Sequence, residues 1–504
     1  MFKLSIIGSG FSGLSAACFA ARAGHQVTVF EKNDTHGGRA RSFSDQGFLF
    51  DMGPSWYWMP DVFEKFFNSF GKSCSDYYQL VKTNPAFQVI YRDNETIQIP
   101  NTLEELYEVF ESIEEGSAKQ LKKFLAEGEM KYKIAMESLI YKPAFTPFEY
   151  ASYDVFKGAL HTDILSSMST YVRRFFKNEK LISLMEFPVL FLGALPEKIP
   201  ALYSLMNYAA FSMGTWYPLG GMCKIVEAMH ELGRSIGVEY KTQKEIKEII
   251  VSNGKVNSLV TGEGFYNTDA LIATGDYHHI ESRLLLEKYR NYSNQYWDER
   301  TMAPSCLIFY LGISKKINGL VHHNLFFDAD FNKHAEEIYR RPQWPADPLF
   351  YVCCPSKTDD SVAPNGMENL FILIPLAAGI KDEKALHEIY FDKVIDRIEK
   401  KCGEKIKTHI LSKRSYCLQD FEKDYNAYKG NAYGLANTLG QTAFMKPSMR
   451  NKKVKNLFYA GQLTVPGPGV PPALISGQIA AEQVIKYFGK TNRAPTPKRN
   501  ESTF

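Results

Sequence analysis

Gly8, Gly10 and Gly13 stand at the spacing GxGxxG, and an acidic residue, Glu31, follows them. Residues of these types could hold a dinucleotide. Gly8 permits a tight strand-to-helix turn, Gly10 leaves room for a pyrophosphate against the backbone, and Gly13 lets the next helix lie close to a sheet. A carboxylate at position 31 would accept a ribose hydroxyl.

The elements that must position these residues can be read on either side. Lys3-Leu4-Ser5-Ile6-Ile7 is an apolar strand, and a helix opens at Phe11 and Ser12. Its unpaired N–H groups and dipole would face a phosphate. Ser15, Ala16, Ala17, Ala20 and Ala21 keep that helix slim, and Gly24 is placed to cap it. Val27-Thr28-Val29-Phe30 then forms a second strand that delivers Glu31, with Lys32 beside it as a further expected cofactor contact. This setting, more than the glycine spacing alone, makes a dinucleotide site the expectation.

Gly37-Gly38-Arg39-Ala40-Arg41 and Asp51-Met52-Gly53-Pro54-Ser55-Trp56 come soon after, where a nicotinamide enzyme needs nothing special. This run resembles the extended FAD fingerprint of the amine-oxidase and carotenoid-desaturase superfamily. The resemblance implies that Gly37 and Gly38 let the chain pass close to the flavin side of the cofactor. It also implies that Arg39 and Arg41 supply charge near the pyrophosphate or flavin, and that Gly53, Pro54 and Ser55 join the cofactor site.

Two later blocks extend the pattern. Leu219-Gly220-Gly221-Met222 leads into a helix to about Gly233, a strand around Val238-Glu239-Tyr240 and a hairpin through Asn253-Gly254. The block ends in the buried strand Asp269-Ala270-Leu271-Ile272-Ala273-Thr274-Gly275. By resemblance to two-part FAD folds, Thr274 and Gly275 pass near the cofactor and the backbone of Ile246 meets adenine. Near the end, Asn456-Leu457-Phe458-Tyr459-Ala460-Gly461 is a strand, and Gly467-Pro468-Gly469-Val470-Pro471-Pro472 feeds a helix from Ala473 to Tyr487. A loop of this kind can aim backbone N–H groups at the flavin carbonyls, which makes Gly461, Gln462, Gly469, Val470 and Pro471 expected contacts.

The N-terminal fingerprint, Trp216-Tyr217-Pro218-Leu219-Gly220-Gly221-Met222 and the closing segment from Gly461 to Pro471 look like bacterial-type phytoene desaturases, over about residues 1 to 490. Met52 to Pro60 and Glu186 to Gly193 look more like the lycopene-forming type than the hydroxycarotenoid 3,4-desaturases. The resemblance implies an FAD-dependent oxidoreductase that introduces C=C bonds into an apolar carotenoid, from phytoene to lycopene, by hydride transfer to flavin. An alternative is a 3,4-desaturase acting on a later carotenoid. A redox-neutral carotenoid isomerase, a noncatalytic prenyl-binding protein and an amine oxidase use the same fold and stay open. Oxygen or a quinone is the implied electron acceptor. No acid–base pair announces itself, and Arg173 and Tyr217 are the weak catalytic candidates.

Composition sets the outer limits. Lys plus Arg number 59 against 56 Asp plus Glu, a net charge of +3, so nothing calls for nucleic acid. Aromatic residues make up 14% of the chain, which suits an apolar pocket or a lipid-facing surface. The 8 cysteines form no CxxC pair, which predicts a reduced, cytoplasmic setting. The 11 histidines show no HxxxH pattern, and the adjacent pairs His278-His279 and His322-His323 should diverge, so no metal site is expected. The apolar stretch Phe187 to Pro196, with Phe191 and Leu192, is too short to span a bilayer. A lipid-soluble substrate therefore predicts peripheral attachment to a membrane lipid surface, first through the Phe187–Tyr208 region and second through the helices from Leu103 to Tyr141.

The fold class expected is α/β (α+β). A Rossmann-like FAD-binding domain is built from discontinuous segments 1–80, 219–290 and 425–490, and a mixed-sheet substrate domain from 81–99, 141–218 and 291–424. Residues 100–140 form a helical insert that could touch a membrane, and 491–504 form a flexible tail.

Overall fold

A computed structural model describes residues 1–150, 166–190 and 193–491; Phe191, Leu192 and nearly all of the expected tail lie outside the described residues. The strand Lys3–Ile7 (β1), the helix Phe11–Arg22 (α1) and the strand Gln26–Phe30 (β2) form one tight unit. β1 lies at the centre of a 5-stranded sheet, flanked by β2 and Ala270–Ala273. Glu239–Lys241 extends the sheet beyond β2, and Leu457–Tyr459 extends it beyond Ala270–Ala273; all neighbours are parallel. Sequence-distant segments thus meet in one sheet, all but the edge strand Glu239–Lys241 short and mainly apolar, as a sheet covered on both faces requires.

Helix packing fixes this sheet. α1 and the closing helix Val470–Thr491 touch so closely that a Cβ at Gly477 would stand 2.1 Å from the Ser12 carbonyl oxygen. The helix Cys223–Ser235 shares the same buried cluster through Ile225, Val226 and Met229. Beside the sheet runs an antiparallel meander of Glu248–Ser252, Lys255–Thr261 and Gly264–Asn267.

A second, mixed sheet has 7 strands in the order Ile410–Tyr416, Ser305–Ile313, Glu368–Leu376, Phe350–Cys353, His323–Phe326, Phe87–Ile90, Thr96–Ile99. Only His323–Phe326 and Phe87–Ile90 pair in parallel. Along Ser305–Ile313 the side chains alternate between two cores. Leu307, Phe309 and Leu311 pack toward the helix Lys384–Cys402, while Ile308 and Tyr310 face a second cluster that includes Phe87, Phe187 and Phe211. Helices Leu103–Ile113 and Ser117–Ile134, broken at Gly116, cover that second cluster with Leu106, Phe110, Leu121 and Phe124.

The structure bears on two expectations about placement. In the first membrane candidate Phe187, at 2% of its surface, Ile199 and Ala201 are buried, Leu202, Tyr203, Leu205 and Met206 are half-buried around the apolar cavity, and Glu197 and Lys198 are exposed. The rings of His322 and His323 do not diverge: they lie 4.3 Å apart. His322 precedes the strand that begins at His323, so strict alternation does not yet apply. Among the described residues no helix is long and apolar enough to cross a membrane.

Candidate functional site

The first turn of the chain shows why its residues must be small. Gly8 turns the chain from β1 into α1 with φ +97°, and its N–H donates to the Phe30 carbonyl at 2.8 Å, tying the turn to the end of β2. A Cβ at Gly13 would sit 1.9 Å from the Gly8 carbonyl oxygen, so only glycine lets α1 approach. Above Gly10 the nearest atoms to an added Cβ are Gly37 O at 3.9 Å and Gly38 Cα at 4.0 Å, which leaves a slot over the start of α1.

That slot belongs to a cavity of about 1640 Å³ at the carboxyl ends of the parallel strands, the usual ligand position in open α/β sheets. Gly8, Gly10, Phe11, Ser12, Glu31, Lys32, Gly38, Arg39, Gly53 and Pro54 line it. From the later blocks come Ile246, Thr274, Gly275, Gly461, Gln462, Gly469 and Val470. Gly13 acts behind the wall, through packing. Glu31 is 5% exposed, and its carboxylate accepts from Ser9 N at 2.9 Å, Ser9 Oγ at 2.8 Å, and Asn33 N and Nδ2 at 3.0 Å each.

The two arginines of the glycine-rich run part company. Arg39 lines the cavity, donates to the Asn431 carbonyl at 3.1 Å, lies over the Tyr425 ring and leaves its buried Nε without a partner. Burial lowers its pKa, while buried Asp276 nearby opposes that shift. Arg41 does not line the cavity itself and donates to Asp424 Oδ2 at 2.8 Å, a residue of the cavity wall. Burial also raises the Asp276 carboxyl, although its oxygens accept from Tyr428 N and His279 N at 3.1 Å. An open helix N-terminus, a buried carboxylate at the end of the neighbouring strand and an orphaned guanidinium nitrogen on Arg39, all in residues that line one cavity or its edge, fit FAD.

A second cavity of about 2710 Å³ adjoins the first, and Gly53, Pro54, Leu373, Tyr433, Gly469 and Val470 border both. Its walls are mainly aromatic and aliphatic, with Trp56, Trp58, Phe187, Phe327 and Phe331 among them. Ser55 and Pro471 line this second space rather than the first. Gly469 has φ +111°, and a Cβ there would meet Pro472 Cδ at 3.3 Å, so the constraint comes from its own loop as much as from the cavities.

The two catalytic candidates stand elsewhere. Arg173 lines neither cavity; its half-exposed side chain pairs with Glu179 at 2.8 Å. Tyr217 is buried beside a small third cavity of about 410 Å³, with Asp51, Ser55 and Cys353. Its hydroxyl has no partner, and burial raises its pKa. The sequence reading missed Asn431 and Tyr433, which lie in an irregular stretch with no periodic signal, and Tyr351, hidden in an apolar strand. His322, His323 and Cys353 bring ligand-type atoms within 4.8 Å of one another, but Tyr351 and Thr358 hydroxyls take the histidine Nδ1 atoms at 2.6 and 2.7 Å.

Comparison with known proteins agrees with this geometry. Residues 11–485 match the family described as flavin containing amine oxidoreductase. A carotenoid 3,4-desaturase of Haloarcula japonica is 38% identical over 96% of this chain and 98% of its own. A 4,4'-diapophytoene desaturase (4,4'-diaponeurosporene-forming) of Staphylococcus aureus is 31% identical over 96% and 99%. Among solved structures, cyclohexylamine oxidase of Brevibacterium oxydans superposes with a TM-score of 0.61 at 14% identity, covering 97% of this chain and 99% of that one. Putrescine oxidase with bound putrescine gives 0.62 at 14%, over 96% and 99%; at such identities these structures speak for the fold alone. The chain is an FAD-dependent oxidoreductase of the flavin-containing amine oxidoreductase family and belongs to its carotenoid desaturases.

Proposed function

We propose that the enzyme removes two hydrogens from a saturated C–C bond flanked by double bonds, as a 3,4-desaturase acting toward the end of an acyclic carotenoid. The observation that carries this reading is the junction of the two cavities, where Gly53, Pro54, Tyr433, Gly469 and Val470 border both spaces. An apolar polyene is held by shape and apolar contact, and FAD supplies the hydride acceptor at that junction. In the same reading Glu31 meets the adenosine ribose, the start of α1 meets the pyrophosphate, and Gly461, Gln462, Gly469 and Val470 stand at the flavin end. The 38% identity with the Haloarcula 3,4-desaturase supports the position of attack.

A second reading, phytoene to lycopene, draws support from the 31% identity with the diapophytoene desaturase. FAD-loaded protein incubated with colourless phytoene and, separately, with lycopene separates the two. A 3,4-desaturase red-shifts lycopene and leaves phytoene colourless, whereas the phytoene type turns phytoene red. A change in double-bond geometry without gain of conjugation would instead support an isomerase.

A membrane lipid surface is the proposed source of substrate. Phe145 and Phe148 are exposed just beyond Lys142, and Phe444 and Met445 just beyond Ala443; Lys142 and Ala443 line the apolar cavity. Oxygen or a lipid-soluble quinone is the proposed terminal acceptor.

A further inference from the structure

The wall of the apolar cavity carries one built polar feature. Tyr351 lines the cavity, and its hydroxyl donates to Ser55 Oγ at 3.0 Å and lies 2.6 Å from His323 Nδ1. Ser55 directly follows Gly53 and Pro54, which border both cavities, so this hydroxyl stands near the junction. Behind it His323, 0% exposed, stacks on Trp56 at 4.0 Å, and the His322 ring is 4.3 Å away. His322 Nδ1 lies 2.7 Å from the hydroxyl of half-buried Thr358, which is followed by buried Asp359. The Nε2 atoms of both histidines are buried without partners.

Desaturation creates a need for such a chain. One hydrogen leaves with its electron pair as hydride, and the other must leave as a proton from a space with few polar groups. Tyr339 and Tyr433 also line that wall, but among the described residues neither hydroxyl has a histidine within hydrogen-bond distance, and the other basic groups are already engaged. His334 accepts from Leu349 N at 2.9 Å through Nδ1 and meets the Pro375 carbonyl at 3.2 Å through Nε2, while Lys142 donates to the Glu149 carbonyl at 2.5 Å.

We propose that Tyr351 takes the substrate proton while His323 draws off the tyrosine's own, so that Tyr351, His323, His322 and Thr358 form a proton exit from the polyene toward the protein surface. The C–H bond that loses its proton leaves its electron pair in the new C=C bond, and the hydride from the neighbouring carbon goes to flavin. As the substrate proton reaches Tyr351 Oη, the tyrosine's own proton swings from Ser55 Oγ to His323 Nδ1. His323 passes its Nε2 proton to Nε2 of His322, and His322 releases its Nδ1 proton to Thr358 Oγ1 as half-buried Thr358 gives its own hydroxyl proton to solvent water. The two nitrogens without partners are those that this hand-over uses, and a small ring rotation or one water closes the gap between them. Burial lowers the His322 pKa to about 3 and holds His323 well below its usual value, so both rings are neutral bases at rest. The stacked Trp56 face and Asp359 favour a passing positive charge. Tyr351 is the catalytic residue of this scheme, and the histidines act through it.

This inference rests on the desaturase reading. Holoenzyme carrying Tyr351→Phe, mixed anaerobically with the carotenoid the wild type desaturates, should bleach its flavin roughly 10²-fold more slowly, with FAD occupancy and carotenoid binding kept. Wild-type bleaching should slow in D2O, and both Tyr351→Phe and His323→Asn should lose that solvent effect. Wild-type bleaching rates in Tyr351→Phe would overturn the relay. A readout without turnover is 15N NMR of histidine-labelled protein, where His323 should be neutral with its proton on Nε2; a proton on Nδ1 or a charged ring would also overturn the relay. If the wild type itself bleaches with no carotenoid, the functional reading fails, and the NMR result still decides the relay.

Discussion

Glu31 was expected to act as a ribose acceptor, yet its two oxygens already gather Ser9 and Asn33. Removing the carboxylate would strand these donors in a nearly buried position, so Glu31→Ala should damage the turn as well as the cofactor site. Glu31→Gln is the cleaner probe, because it keeps the shape and loses the charge. It should cost about 1.5–3 kcal/mol of FAD binding, roughly ten- to a hundredfold in Kd, in a flavin fluorescence titration, and unchanged affinity would remove Glu31 from the site. His279 and Cys306 also line the nucleotide cavity. Burial pushes the Cys306 thiol up and the His279 ring down to about 4, so Cys306 is a poor nucleophile. Denaturation should therefore release FAD intact, and flavin retained on the chain would refute noncovalent binding. Residue types and spacing made the phosphate loop legible. They could not separate Arg39 from Arg41, because Asp424 claims Arg41 from 383 positions away and no local pattern encodes that.

At the scale of elements, the parallel sheet was legible because each strand except Glu239–Lys241 is a short, mainly apolar run followed within two residues by glycine or an acidic residue. Its closing helix was legible too, although it begins at Val470, inside the proline-rich loop. The order of the 7-stranded sheet was not legible, since pairings such as Asn324 with Gln88 join segments with no local signal between them. The His322-His323 pair failed for a related reason, as alternation holds only where both residues are in the strand. The contact of α1 with the closing helix yields a sharp test. In Gly477→Ala a methyl group must enter 2.1 Å from the Ser12 carbonyl and 2.9 Å from Ser15 Cβ, which forces the helices apart. Overpacking of this kind costs about 1–3 kcal/mol, and since Ser12 lines the nucleotide cavity, FAD occupancy should fall along with Tm. Gly489→Ala in the same helix meets nothing within 4 Å and should be neutral or stabilising by about 0.5–1 kcal/mol. Equal melting shifts for the two variants, read by circular dichroism, would contradict the close-contact account.

The whole molecule must bring a substrate that dissolves in lipid to a buried flavin site. No described helix can cross a bilayer, and a net charge of +3 offers little electrostatic anchoring. What remains is apolar contact. Phe148 is 83% exposed and Phe444 45%, each close in sequence to a residue that lines the apolar cavity. Burying one such ring in lipid contributes about 1.5–3 kcal/mol, so the two together could hold the protein at a surface while the cavity stays in reach of the acyl region. The protein should float with liposomes and stay bound in high salt, and Phe148→Ser with Phe444→Ser should weaken partitioning at least tenfold. FAD content should not change in that double variant, because neither ring lines the nucleotide cavity. Its turnover should fall on carotenoid supplied in vesicles and hold on carotenoid supplied in detergent, which separates docking from chemistry. Release of the wild type by salt would point to charge instead, and flotation of the double variant equal to the wild type would move the membrane face elsewhere on the molecule.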